Sequence, residues 1–184
     1  MRLILCALLL GPLPGHAGGV LESSVTYHEG VYSLSIEARI DAPVAMVYRL
    51  ITDYDHLSDI NPAIKYSRVL RTDSPVKHRM RSVTRVCVLF YCREVTQVQD
   101  MTQQADYGID ALILPQGSDF RLGRAHWRLK ASGDATLMHF DAELVPDFYI
   151  PSLVGPWLIR REMVGQITEI IRIIEDRYQR RDMS

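Results

Sequence analysis

A chain of 184 residues with 47% hydrophobic and 23% charged residues has the composition of one globular domain large enough to bury a core unaided. Its net charge of −1, with 21 basic against 22 acidic residues and no long basic block, excludes a nucleic-acid surface built on clustered Lys and Arg. A disordered or low-complexity chain is excluded on the same composition.

The first segment predicts a signal peptide over residues 1–17. Arg2 supplies the positive charge, Leu3 to Leu10 the apolar run, and Gly15-His16-Ala17 small residues at the cleavage spacing. The run is broken by Gly11, Pro12 and Pro14, well short of the ~20 residues that cross a bilayer. The expectation is an exported protein, periplasmic or secreted, with one domain over residues 25–182.

Val31 to Ile40 alternates as a half-buried strand does, with Leu34, Ile36, Ala38 and Ile40 on one side. Asp41-Ala42-Pro43 then opens a helix with an acidic cap, and Met46, Val47, Leu50 and Ile51 give it one apolar stripe. A second short helical piece around His56 to Asp59 is stopped at Asn61-Pro62. From Lys65 the period is that of strands, six of them, at roughly 65–72, 77–88, 91–101, 106–114, 120–130 and 135–145. After the Pro146 to Pro156 connector, Trp157, Val164, Ile167, Ile170, Ile171 and Ile174 predict a long helix with one apolar face, which a sheet must cover.

Two hairpin registers follow from the turns. A turn at Ser132-Gly133 pairs Trp127 with Met138, Ala125 with Phe140, Arg124 with Asp141 and His126 with His139. A turn at Leu89-Phe90 sets Cys87 opposite Cys92 and Arg85 opposite Glu94. Since Cys6 leaves with the leader, Cys87 and Cys92 are an even pair in an exported chain, and a disulfide between them is expected. Leu89 and Phe90 then form an apolar hairpin tip, a candidate for peripheral membrane contact.

Motifs for catalysis and metal binding are sparse. No His-Glu-x-x-His, Gly-x-Ser-x-Gly or phosphate-cradling loop occurs. The His126 and His139 pair offers two ligands where a metal needs three or four, so no metal site and no cofactor are expected. Asp53 and Asp55 read as capping acids, Asp106 and Asp110 as salt-bridging acids, and Arg71, Lys77, Arg79, Arg81 and Arg85 as a solvated strand face. What remains is shape: a curved antiparallel sheet over one helix leaves an apolar space between them. Its expected lining is Trp127, Met138, Phe140 and Tyr107 from the sheet, Trp157, Met163 and Ile167 from the helix, and Tyr54 and Leu57 from the short helical lid.

Four segments carry a resemblance to a known family. They are Ile40-Asp41-Ala42-Pro43, Asp53-Tyr54-Asp55-His56-Leu57 with Asn61-Pro62, Gly123-Arg124-Ala125-His126-Trp127-Arg128-Leu129, and Pro146-Asp147-Phe148-Tyr149-Ile150-Pro151. With the order of elements, they resemble the START-like (SRPBCC) helix-grip superfamily of polyketide cyclase/dehydrase and lipid transport proteins, which includes coenzyme Q-binding START-like domains. The resemblance spans about residues 30 to 178. It implies an α+β fold in which a curved, seven-stranded antiparallel sheet wraps a long C-terminal helix, with two short helices after the first strand. It further implies a cavity for a hydrophobic small molecule or lipid. The expected function is therefore an exported binding or transport protein, the alternative being a cyclase- or hydrolase-type enzyme in the same cavity. No catalytic residues carry over, because the cavity arginines and hydroxyls of aromatic cyclases have no match here.

Overall fold

A computed structural model describes residues 18–88, 91–150 and 154–182. Eight strands follow the chain as β1 (Gly19–His28), β2 (Val31–Ile40), β3 (Ile64–Ser74), β4 (Lys77–Val88), β5 (Tyr91–Gln103), β6 (Gly108–Leu114), β7 (Phe120–Ser132) and β8 (Ala135–Pro146). They form one antiparallel sheet in the order β1-β2-β8-β7-β6-β5-β4-β3. Helix α1 (Val44–Ile51) and a 3-10 turn at Leu57–Asp59 lie between β2 and β3, and α2 (Gly155–Asp182) ends the domain. This is a helix-grip. The leader expected over residues 1–17 and the tip residues Leu89 and Phe90 lie outside the described residues.

The sheet has eight strands where seven were expected. The additional one, β1, starts at Gly19, ahead of the expected boundary at residue 25. Its alternation is interrupted by a register shift between Val20 and Glu22, which leaves Leu21 exposed and hides the period of two. At α1 the cap position is Pro43, which makes no side-chain cap bond; Asp41 instead pairs with Arg39 and donates its backbone N–H to Glu175 on α2.

Alternate residues of every strand face α2. Tyr32, Leu34, Ile36, Ala38 and Ile40 of β2 continue across the sheet into Phe140 and Ala142 of β8, Ala125 and Leu129 of β7, and Ile109 and Ala111 of β6, all buried in one cluster. From α2 this cluster receives Ile167, Ile171 and Ile174, with Ile159, Met163 and Tyr178 partly buried along the same stripe. Full burial of an isoleucine side chain contributes about 1.5–3 kcal/mol, so this face is what holds a helix whose other side is charged.

The last hairpin turns at Gly133-Asp134, one position later than expected. Trp127 therefore faces Phe140, Ala125 faces Ala142, Arg124 faces Glu143 and His126 faces Asp141. Gly133 takes φ +61° at the first turn position, where a primed hairpin turn wants glycine. The slip moves partners by two residues, so every side chain keeps its face.

His126 and His139 are consequently not opposite one another. His126 bonds Asp110 at 2.6 Å, whereas His139 sits between Glu37 at 3.3 Å and Asp141 at 2.8 Å. Among the described residues no group of three metal-ligating side chains occurs.

At the other hairpin, Cys87 and Cys92 are paired and bonded as a disulfide, with Cα atoms 4.0 Å apart, and Arg85 stands opposite Glu94. β6 begins at Gly108 because Asp106 and Tyr107 both adopt positive φ, 55° and 60°, in the turn before it.

Candidate functional site

The backbone of α2 comes near β1 and β2 on one flank of the sheet and β4 on the other, and stands off the middle strands. Large side chains span that gap. Tyr54, Leu57, Trp127, Met138, Phe140, Met163 and Ile167, all expected there, are brought together in the central cluster, with the Trp127 and Phe140 rings 4.9 Å apart.

The remaining two expected lining residues lie elsewhere. Tyr107 is in the exposed turn before β6, edge-on to Tyr48 of α1 at 5.3 Å. Trp157 is 55% exposed, with the Arg161 guanidinium 5.5 Å over its ring. At 100° per residue it stands roughly a quarter turn off the Met163, Ile167 and Ile174 stripe.

Among the described residues, two surface clefts can be compared with the expected hollow. One of about 360 Å³ separates the Asn61 to Ala63 turn from the Arg161 to Glu169 side of α2, and one of about 240 Å³ lies among Arg172, Asp176, Arg177 and Arg180. Neither is the dry hollow expected between sheet and helix. There the described side chains pack on one another.

Five of them are methionines. Met46, Met80, Met101 and Met138 are buried and Met163 half-buried, which places every methionine of the described residues in the interior. Methionine is unbranched and re-packs at low cost, so this filling yields more readily than a Leu or Ile core would.

The two walls of the interior differ. The wall made by β2, β8, β7 and β6 is apolar, whereas alternation on β4 and β5 turns His78, Ser82 and Thr84, and Gln97, Gln99 and Gln103, toward α2. Ser82 is 3% exposed and stands between Ser67 of β3 and Gln97 of β5. The Gln97 and Gln99 side chains have no hydrogen-bond partner among the described residues. Sequence reasoning missed this wall, because β5 is polar on both of its faces and its inward parity is set by its neighbours.

The segment that closes this end of the interior is pinned from all sides. Thr136 Oγ1 donates to the Ala42 carbonyl at 2.7 Å, and Asp55 accepts the Val69 N–H at 2.8 Å. Ser67 Oγ accepts the Leu57 N–H at 3.2 Å, and Arg177 of α2 donates to the Asp59 carbonyl at 2.8 Å. Asp53 holds His56 at 2.8 Å and raises its pKa.

These contacts point the Tyr54 side chain inward, 3% exposed, with its ring 5.6 Å from that of His78. Its hydroxyl is shut off from solvent and meets no partner at hydrogen-bonding geometry. Burial pushes its pKa up to about 12, opposed only in part by the nearby Gln103 side chain.

Charge is kept outside. Arg79 grips Asp100 through two bonds of 2.6 and 2.8 Å on the convex face and holds that carboxyl below its usual range. The hydrogen bond to His126, and a second from Gln104, do the same for Asp110. At the end of the sheet near the disulfide, Arg93 lies 4.4 Å over the Phe148 ring and pairs with Asp119 at 3.2 Å. Exposed Tyr149, Val154 and Trp157 surround the start of α2 at that end.

The chain matches the family described as polyketide cyclase / dehydrase and lipid transport over residues 40–164, more than half its length. It belongs to that family. No curated protein matches it. As a member of the polyketide cyclase/dehydrase and lipid transport family it shares its fold with solved structures at low identity. A Thermus thermophilus protein is 20% identical with a TM-score of 0.61, over 80% of this chain and 97% of the other. The Zhui aromatase/cyclase of a Streptomyces species is 12% identical with a TM-score of 0.65, over 82% and 95%. The STAR-related lipid transfer protein of Xanthomonas axonopodis is 11% identical with a TM-score of 0.57, over 83% and 98%. At such identities the likeness is one of fold.

Proposed function

We propose that this protein binds and carries a hydrophobic small molecule or lipid between the concave sheet face and α2, outside the cytoplasm. The observation that carries the reading is the polar wall of β4 and β5. Half-buried glutamines and a buried serine facing a helix that stands off the sheet suit the polar part of an amphiphile whose apolar part lies against β6, β7 and β8. The occupant would displace the methionine filling, chiefly Met80, Met101, Met138 and Met163. The disulfide hairpin and the apolar leader support an exported location. The exposed Tyr149, Val154 and Trp157, together with the apolar Leu89-Phe90 pair of the sequence, are where the carrier would meet a lipid surface.

A cyclase or hydrolase working in the same space is the second reading, and the aromatase/cyclase fold likeness is what favours it. Against it, the interior group with the strongest pKa shift, Tyr54, is moved away from neutrality, which suits a hydrogen-bond donor better than a proton-transfer base.

The experiment is native mass spectrometry of the mature protein purified from an exporting host, with its organic extract analysed alongside. A bound organic species, retained less well by Trp127→Ala, is expected. Protein of bare polypeptide mass that also takes up no added lipid would end the carrier reading.

A further inference from the structure

Resting on that carrier reading, we infer that the interior under α1 receives the uncharged polar end of an amphiphile, with the Tyr54 hydroxyl donating a hydrogen bond to a carbonyl oxygen of the ligand. The hydroxyl is buried with no acceptor at full hydrogen-bonding geometry, the Gln103 amide being close enough only to weaken the effect of burial, and leaving it so costs the folded protein part of its desolvation energy. Its position is imposed by the pinned segment between α1 and β3, so it is not a side chain free to turn outward. The Gln103 side chain is near and its amide can add a donor to the same oxygen, whereas Gln99 lies two inward positions further along β5, beyond Met101.

The ligand end is uncharged because no free charge there compensates one: His78 stands beside Tyr54, but both of its ring nitrogens are engaged, by Thr72 Oγ1 and by the Pro75 carbonyl. By register, no Asp, Glu or Lys stands on the concave face of the described strands, and the one arginine, Arg93, sits at the opposite end, committed to Asp119. A carboxylate or phosphate brought to Tyr54 would lose its hydration against Met80, Met101 and the Tyr54 and His78 rings. A ketone, ester or amide carbonyl loses far less hydration than an ion and gains the phenol, which stays protonated across the physiological range.

The test uses the Trp157→Phe protein, in which Trp127 is the one tryptophan of the original two and reports from the interior. 2-Decanone and decane are titrated into this protein and into its Tyr54→Phe derivative, following Trp127 fluorescence. The ketone is expected to lose about 2- to 12-fold in affinity on Tyr54→Phe, the span of one net hydrogen bond, while decane is unaffected. Thermal unfolding of the unliganded Tyr54→Phe protein should occur at the same temperature or higher, since the hydroxyl has no partner to lose. Equal ketone affinity in both proteins, or an equal loss for ketone and decane, overturns the inference and leaves the carrier reading standing. A fall in the melting temperature overturns it too, by showing that the hydroxyl has a partner within the fold. If neither probe binds either protein, both the inference and the carrier reading fall.

Discussion

Replacing Cys87 and Cys92 together by serine should destabilise the oxidised protein by about 2 kcal/mol. The bridge closes a loop of six residues, from a sequence separation of 5. The loop-closure entropy removed from the unfolded chain, taken with n as six, amounts to about 2 kcal/mol at 25 °C. Packing adds little, because Cys92 is exposed and Cys87 only half-buried. With a urea m-value of about 2 kcal/mol/M, the midpoint should drop by about 1 M at unchanged m. The assay is equilibrium urea unfolding by far-UV circular dichroism, repeated with dithiothreitol, which should bring the wild type down to the double variant and leave the variant where it is. No shift would mean that the unfolded chain already holds these ends together. A shift well beyond 2 M would mean that the bridge supports folded contacts far from the hairpin, and the entropic account would be wrong.

Two further outcomes follow from burial. Ile174→Ala, at a position 0% exposed, should cost about 2–5 kcal/mol in the same urea assay, whereas Trp157→Ala at 55% exposure should stay within about 1 kcal/mol. Because the folded Tyr54 pKa of about 12 exceeds the ordinary value near 10, the contribution of this group is complete below pH 10 and is lost as pH rises toward 12. Tyr54→Phe should therefore show a shallower loss of stability than the wild type across that alkaline window.

The strands β3 to β8 could be read from the sequence because runs rich in Val, Ile, Tyr and Thr are separated by turn residues. The cysteine register was legible for the same reason: two runs and one short turn leave a single alignment that pairs Cys87 with Cys92 and Arg85 with Glu94. At the β7–β8 hairpin two alignments put the same residues on the same faces, so hydrophobic pattern could not choose between them. The backbone of Gly133 does choose, and no pattern reports it. β1 escaped because one bulge at Leu21 breaks its rhythm. Of the interior, Trp127, Met138 and Phe140 were found by parity, while Trp157 was misplaced by following a helical stripe into its first turn, where the stripe has already rotated away. The inward glutamines of β5 were out of reach, since a strand polar on both faces does not say which is inside until its neighbours are known.

The pairing of β2 with β8 joins segments about a hundred positions apart, Ile36 against Phe140, and the helix that fills the concavity is the last element of the domain. Local hairpins can therefore form early, but nothing seals them until α2 has been made. A polypeptide arranged in this way gains its cooperative structure only when its first long strand and its closing helix are both free to meet.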